Sequence, residues 1–593
     1  MTHVRIIVAL GVLAIAACTW ADDLSAVRKA EQERIAVINK VRPAVCAIYA
    51  RGGQGGGSGV VIDKDGYALT NFHVVQGSGP VMQCGLADGV LYDAVLVGLD
   101  KVGDVALIKL LPKKEGTPFP FAPLGDSDKI HEGDWSLAMG NPFLLATDFT
   151  PTVTFGLVSG VHRYQYPEGT LLEYTDCIQV DTSINPGNSG GPLFNMQGEL
   201  IGINGRGSFD KRRRINSGVG YAISINQIKN FMAHLRAGLD TDHASLVTVG
   251  SVTEDIPRLE VREVLDTSDA YRRGVDVGDE LISFAGRPLG SSNEFKNVLG
   301  IYPKEWRLPL EFRRKNERKE VLVRLDPLRP KEQPEDDDPN KPKQPGAKPP
   351  APPPIPDTPA KKLYVERKGF ANYYFNEMHQ KRLWSAFAKF GDFSKLKGEW
   401  VMDAELELAA RKTPCTVTVG EQKFDGETHP FVKMVTEATD YTLDPLKQNL
   451  SAVERTVPSN SGGLLMAFHQ YRLLLTEGLG GFGRNVGHGG AEPFYPPKLD
   501  GTQPKHLREL RVDAEVLRTE SAGVPVKWYF AKDDGKMIGF EVFTEPNADP
   551  CEVYLADYRP VADGRQLPYR LEVRYGDSRF GVLTVKSYKL GAK

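Results

Sequence analysis

The chain has 593 residues, too many for one hydrophobic core, so about three domains are expected. Its formal net charge of -3 at pH 7 argues against a nucleic-acid binder, which shows a basic excess. Otherwise the composition is that of an ordinary soluble globular protein.

In chain order, the first segment is "MTHVRIIVALGVLAIAACTWADD". Its apolar run, Ile6 to Ala17, is too short for a comfortable membrane span and suits the core of a signal peptide. Cleavage after Ala21 makes residues 1–21 the leader. "IAAC", ending at Cys18, resembles a bacterial lipobox, so a lipid-anchored form is the alternative to a soluble one. Either way an exported protein of the periplasm or cell envelope is expected. The other cysteines, Cys46, Cys84, Cys177, Cys415 and Cys551, are odd in number and widely spaced. They form neither a disulfide scaffold nor a metal-ligand spacing, and Cys46 and Cys177 read as buried small hydrophobes.

Residues 24–42 carry apolar positions at helical spacing up to Pro43. From 45 to 223 the chain is a series of short β-branched strands punctuated by Gly and Asp-Gly, the pattern of a sandwich or barrel. "SINQIKNFMAHLRAG" then reads as an amphipathic helix capped by Ser224 and stopped by Gly238. Residues 245–326 form a second, mixed unit. The run 327–362 is proline-rich with almost no large apolar residue, and is expected to be an extended spacer. Residues 363–593 begin with a helical pattern and continue mainly as strands.

Within the first domain, "INPGNSGGPL" sets Ser189 among turn-forming residues. A nucleophilic serine needs a base and an acid that orients it. His73 follows the strand of "YALTNFHVV"; His131 and His162 lie in polar loop contexts. Of the two aspartates in "GLDKVGDVALIKL", Asp104 opens an alternating apolar strand able to bury a carboxylate, whereas Asp100 reads as a turn residue. The order His…Asp…Ser on an all-β domain is that of trypsin-fold enzymes.

The stretches "GSGVVIDKDGYALTNFHVV", "GDVALIKL", "VTFGLVSGVHR", "IQVDTSINPGNSGGPLFNMQGELIGIN" and "GVGYAI" together resemble the HtrA (DegP-like) family of exported serine proteases over roughly 40–238. Phe72 departs from the family, which usually has Asn there. The resemblance implies Ser189 as nucleophile, His73 as base, Asp104 as its orienting acid, and Gly187 and Ser189 as oxyanion-hole N–H donors. Gly190 and Gly191 are expected to leave room for the substrate strand. Gly218, Val219, Gly220 and Tyr221 are expected to wall a modest apolar specificity pocket. The "KRRR" run, 211–214, reads as a solvated hairpin tip.

"RGVDVGDELISFAGRP" and its surroundings resemble the PDZ domain that follows the protease in HtrA proteins, although "ASLVTVGS" is a poor carboxylate loop. "DYRPVADGRQLPYRLEV" loosely resembles a LolA-like half-barrel whose concave face would bind an apolar ligand. His469 and His488 show no metal spacing, and no metal or cofactor is called for. The expected fold is therefore mainly β: a trypsin-like double β-barrel (22–240), a PDZ domain (245–326), a Pro-rich linker (327–362) and a C-terminal antiparallel β-rich domain (363–593). The expected function is an ATP-independent serine endopeptidase acting on misfolded or exposed polypeptides, with C-terminal peptides at the PDZ domain and, by resemblance, a homotrimer. The alternatives are a dormant-protease, chaperone-like peptide binder and a scaffold whose C-terminal module binds an apolar ligand.

Overall fold

Short β-branched runs between Gly and Asp-Gly turns close into two barrels. The computed structural model describes residues 24–49, 56–141, 146–165, 174–184, 187–209, 216–252, 258–328, 357–409, 411–424, 426–447 and 449–592. The leader with Cys18, the "KRRR" run and most of the Pro-rich linker fall outside them. Contacts divide the chain into two compact units. One comprises 1–96, 101–229 and 347–364; the other comprises 97–100, 230–346 and 365–593.

The first unit carries the barrels. Strands β1 (Val45–Tyr49), β2 (Gly56–Val61), β3 (Tyr67–Thr70), β4 (Val81–Leu86), β5 (Leu91–Asp100) and β6 (Val105–Leu110) pair in the order β5-β4-β1-β2-β3-β6, and β5 also pairs with β6. Strands β7 (Trp135–Gly140), β8 (Thr152–Gln165), β9 (Tyr174–Val180), β10 (Pro192–Asn195), β11 (Leu200–Phe209) and β12 (Asn216–Ser224) close the second barrel, in the order β10-β11-β12-β9-β8-β7. Alternation puts Val60, Leu69 and Leu107 on one buried face of the first barrel, and Ala138, Val158, Ile178 and Leu193 in the core of the second. All five described cysteines are buried and outside any disulfide, the role of small hydrophobes.

The second unit holds two modules. The middle one is a six-stranded antiparallel sheet with Thr248–Val252 at one edge, and with helices Asp269–Arg272 and Ser292–Leu299. Ser291 and Glu294 form a reciprocal capping box at the start of the longer helix, satisfying two otherwise orphaned donors. The C-terminal module is an 11-stranded antiparallel sheet running from Asp440–Leu443 at one end to Val486–Phe494 at the other.

Helix Leu464–Glu477 packs against strands from both arms of this sheet. Its Leu464, Leu465, Phe468, Tyr471, Leu474 and Leu475 are buried in one core with Trp528, Phe530 and Phe540. Tyr471 stacks on Phe540 at 5.5 Å. The space left beside Phe468 and Tyr471 is about 40 Å³, room for little more than water. Between this helix and the sheet the described residues leave no apolar-ligand cavity: the "HQYRLLLTEG" helix fills that space as core.

The Pro-rich run reads as a spacer, yet the modules on its two sides touch. The middle module packs onto the C-terminal one through a charged seam. Arg324 meets Glu541 at 2.7 Å and Arg307 meets Glu552 at 2.9 Å. Arg273 pairs with Asp549, and Glu305 meets Lys527 at 2.9 Å. Tyr529 and Tyr554 donate their hydroxyls to Glu541 and Glu552, so the buried carboxylates are both paired and hydrogen-bonded, as burial requires.

Cutting the chain at a protease site engineered into 335–350 should leave 24–335 and 350–593 co-eluting on gel filtration, and Glu541→Gln should weaken that association. Two cleanly separated pieces would contradict the seam.

Burial, with Arg382 and Arg236 nearby, pushes His379 down to about 4; burial, with Arg472 nearby, does the same for His469. Both titrate near 6.5 in an unfolded chain. Between these values the unfolded chain binds more protons, so stability should fall as pH drops from about 6.5 to about 4. Urea unfolding of the full chain at pH 7 and pH 4.5 measures this; equal midpoints would contradict it.

Candidate active site

β3 ends at Thr70, and Asn71 leads into a short helix, Phe72–Gln76, that places His73 in its first turn. Asp104 sits immediately before β6 with φ of +58°, a conformation that a non-glycine residue holds only when its surroundings enforce it. The turn lets both ends of the residue serve one segment. The Asp104 carbonyl accepts from the Phe72 N–H at 3.2 Å and from the Asn71 side-chain amide at 2.9 Å. One carboxylate oxygen accepts the His73 N–H at 3.0 Å, and the other lies 2.8 Å from His73 Nδ1. That second oxygen also accepts the Tyr174 hydroxyl at 2.5 Å. The Asp104 side chain is fully buried, whereas His73 is 38% exposed. The arrangement fixes the imidazole tautomer with Nδ1–H toward Asp104 and leaves Nε2 free to accept a proton. Phe72 disturbs nothing, because its contribution is its main-chain N–H.

Ser189 follows β9 in a tight loop. Gly187 and Gly190 have φ of +102° and +82°, values that favour glycine. Ser58, on β2, holds this loop from the first barrel. Its hydroxyl donates to the Gly187 carbonyl at 2.6 Å and accepts the Asn141 N–H at 2.9 Å. Its own N–H donates to the Ser189 carbonyl at 2.9 Å. Pinning the Gly187 and Ser189 carbonyls leaves their N–H groups without acceptors among the described residues, the requirement for an anion hole. The Ser189 hydroxyl donates to the Gly205 carbonyl at 3.5 Å, a long and weak bond.

The glycines after Ser189 have a different purpose from the one expected. A Cβ on Gly190 would lie 2.3 Å from the Ser58 carbonyl and the Thr70 hydroxyl, and one on Gly191 would lie 2.2 Å from the Met139 carbonyl. Both are required by backbone packing behind the loop rather than by space for a substrate strand.

Gly218, Val219, Gly220 and Tyr221 lie on β12. Gly220 packs against Ile184, which is buried, while Val219 and Tyr221 are half-buried. The other candidates are engaged elsewhere. Asp100 holds His243 Nε2 at 2.9 Å. His131 is exposed beside Asp134. His162 lies on β8 rather than in a loop, 2.6 Å from Asp176. No cluster of metal-ligating side chains occurs among the described residues.

Sequence reasoning missed Tyr174, Asn71 and Ser58. Ser58 stood inside "GSGVV" and Asn71 beside His73, but their use depends on contacts distant in sequence. Nothing around Tyr174 signals a hydroxyl aimed at Asp104.

Residues 57–203 match the family described as trypsin-like peptidase domain. The putative serine protease HhoA of Synechocystis sp. is 35% identical over 293 residues, 46% of this chain and 71% of its own length. The periplasmic serine endoprotease DegP of Escherichia coli K12 is 35% identical over 302 residues, 47% of this chain; the chain spans 60% of that relative. A solved structure of the HtrA-type protease AlgW with tripeptide aligns with 50% of this chain and 97% of its own, at 29% identity and a TM-score of 0.41.

A fluorophosphonate probe should label Ser189 and no other serine. Tyr174→Phe should slow that labelling about tenfold, the effect of losing one hydrogen bond to a charged group, without lowering the thermal midpoint comparably. An unchanged labelling rate would remove Tyr174 from the site.

Proposed function

Because the chain belongs to the HtrA/DegP-like family of serine proteases, we propose that Ser189, His73 and Asp104 carry out peptide-bond hydrolysis as its nucleophile, general base and orienting acid. The observation that carries the reading is the clamp on His73, with the Asp104 carboxylate on both its main-chain N–H and its Nδ1. Ser189 Oγ attacks the scissile carbonyl as His73 Nε2 takes its proton. The oxyanion then accepts from the N–H groups of Gly187 and Ser189. His73, now cationic against Asp104, returns the proton to the leaving amine, and water repeats the sequence on the acyl-enzyme. No nucleotide takes part.

The substrates are misfolded or exposed polypeptides outside the cytoplasm, since only an extended segment can pair along the site. The half-buried Val219 and Tyr221 favour a modest apolar residue before the cleaved bond. The middle module is PDZ-like. Its edge strand Thr248–Val252 pairs with Arg258–Glu263 on one side and meets helix Ser292–Leu299, an arrangement suited to adding the strand of an extended C-terminal peptide. Ser251 bonds both the hydroxyl and the N–H of Ser292 at one end of that groove. The protein assembles as a homotrimer in this reading.

The mature chain should degrade casein, and Ser189→Ala should lower turnover by about 10⁴-fold or more. Mass spectrometry of the products should place cleavage after Val, Ala, Ile or Leu. Undiminished proteolysis by Ser189→Ala would overturn the mechanism, and a dominant Arg or Lys signature would overturn the pocket assignment.

A further inference from the structure

A cavity of about 850 Å³ opens in the second unit, and neither the Ser189 site nor the edge strand Thr248–Val252 contributes to it. Its size is that of a ligand site. Phe370, Val526 and Phe543 give it apolar wall.

The charged groups of the lining fall into two sets. On the buried side, Glu305 and Glu492 neutralise Lys527 at 2.9 and 3.0 Å, and Arg518 at 3.2 and 2.9 Å. On the open side stand Arg367, Arg455 and Arg484 with Glu520 and Glu545. Arg367 donates to the Arg484 carbonyl and lies over the Phe370 and Tyr373 rings. Arg455 is 4.0 Å from Glu545. The exposed Arg484 guanidinium has no carboxylate partner among the described residues.

Two side-chain atoms of the lining are buried without a hydrogen-bond partner, and both are donors: Arg518 Nε and His488 Nε2. His488 Nδ1 accepts the Gly490 N–H at 3.1 Å, which leaves the ring proton on Nε2. Burial, with His379, Arg382, His234 and Arg518 around it, keeps the imidazole neutral. A buried donor without an acceptor is costly and rare, and the matching ligand is rich in acceptors.

The strand edge adds a second requirement. Strand Val486–Phe494 ends the 11-stranded sheet. The Asn376 side-chain amide covers its outer edge at His488, taking that residue's N–H and giving to its carbonyl, both at 2.9 Å. Glu520 N–H donates to the Asn485 carbonyl on the inner side, so alternation directs the main-chain groups of Val486 outward, like those of His488. No partner covers them there among the described residues, and Val486 lines the cavity. An acceptor-rich ligand that also presents main-chain N–H and C=O groups is a polypeptide.

We propose that this cavity binds the carboxy terminus of an extended polypeptide, its carboxylate on the free donors of Arg484 and Arg518 and its last apolar side chain against Phe370, Val526 and Phe543. The site is separate from the strand-addition groove of the middle module and does not depend on peptidase activity.

The test uses the full-length Ser189→Ala chain, which leaves probes uncut. The probe is an eight-residue peptide ending in p-benzoylphenylalanine with a free carboxylate, beside the same peptide as its C-terminal amide. Photolysis should cross-link the free acid within 367–370, 523–527 or 543–548. Amidation, or Arg484→Ala in the protein, should each weaken capture about tenfold, the loss of a charge-assisted hydrogen bond. Arg484 is exposed and pairs with no carboxylate, so its replacement leaves the fold intact. Cross-links confined to 248–252 or 292–299, equal capture of acid and amide, or no effect of Arg484→Ala would each overturn the proposal. So would stoichiometric laurate saturating the cavity while the peptide fails to label it, which would reassign the site to an acyl carboxylate.

Discussion

One buried carboxylate organises the first unit. Asp104 is fully enclosed, and an unpaired charge there would be prohibitive. Its pairing fixes everything around it: the His73 ring through Nδ1, the start of the His73 helix through a main-chain N–H, and β9 of the second barrel through Tyr174. Each contact lowers the cost of burying the charge, and each fixes an element that the chemistry needs fixed. The positive φ at Asp104 is the strain that lets carbonyl and carboxylate point to the same segment.

The nucleophile loop answers to the same logic from the other side. Ser58 stands on β2 of the first barrel and holds the carbonyls of Gly187 and Ser189 in the second. His73 and Ser189 therefore come from different barrels, each held by a residue of the other: Tyr174 reaches Asp104, and Ser58 reaches the Ser189 loop. Preorganisation of this kind is what makes dipoles effective in a site that excludes water.

The sequence showed the barrels, and it singled out His73, Asp104 and Ser189, because those signals are local. Alternation, Asp-Gly turns and the contexts of His73, Asp104 and Ser189 each lie within a few residues. Ser58 and Tyr174 escaped notice because their partners lie 129 and 70 residues away. Gly190 and Gly191 were visible, but their reason was not, since the atoms they approach belong to Ser58, Thr70 and Met139. Within "HQYRLLLTEG" nothing local tells that both arms of the sheet close on this helix. Buried on nearly all sides, it behaves as core and fills the space that an apolar ligand would need beside Phe468 and Tyr471.

The charged seam was the least legible feature, and its physics explains why. Arg273, Arg307 and Arg324 sit in runs that read as ordinary solvated surface, while Glu541, Glu552 and Asp549 are scattered through the C-terminal strands. Opposed across the seam they become nearly inaccessible pairs. An apolar interface of equal area would often be as stable as buried ion pairs. The charged one differs in its unassembled state. Two wet, charged faces stay soluble while the modules on either side of a long linker fold, whereas two apolar faces would be exposed to wrong partners. Once joined, every pair must be satisfied together, because one missing partner strands a charge. The seam therefore admits one registry, and that registry places Glu305 of the middle module against Arg518 and Lys527 in the wall of the second cavity. By engaging those two cations, Glu305 leaves Arg484 and Arg518 Nε as the donors an incoming carboxylate would meet.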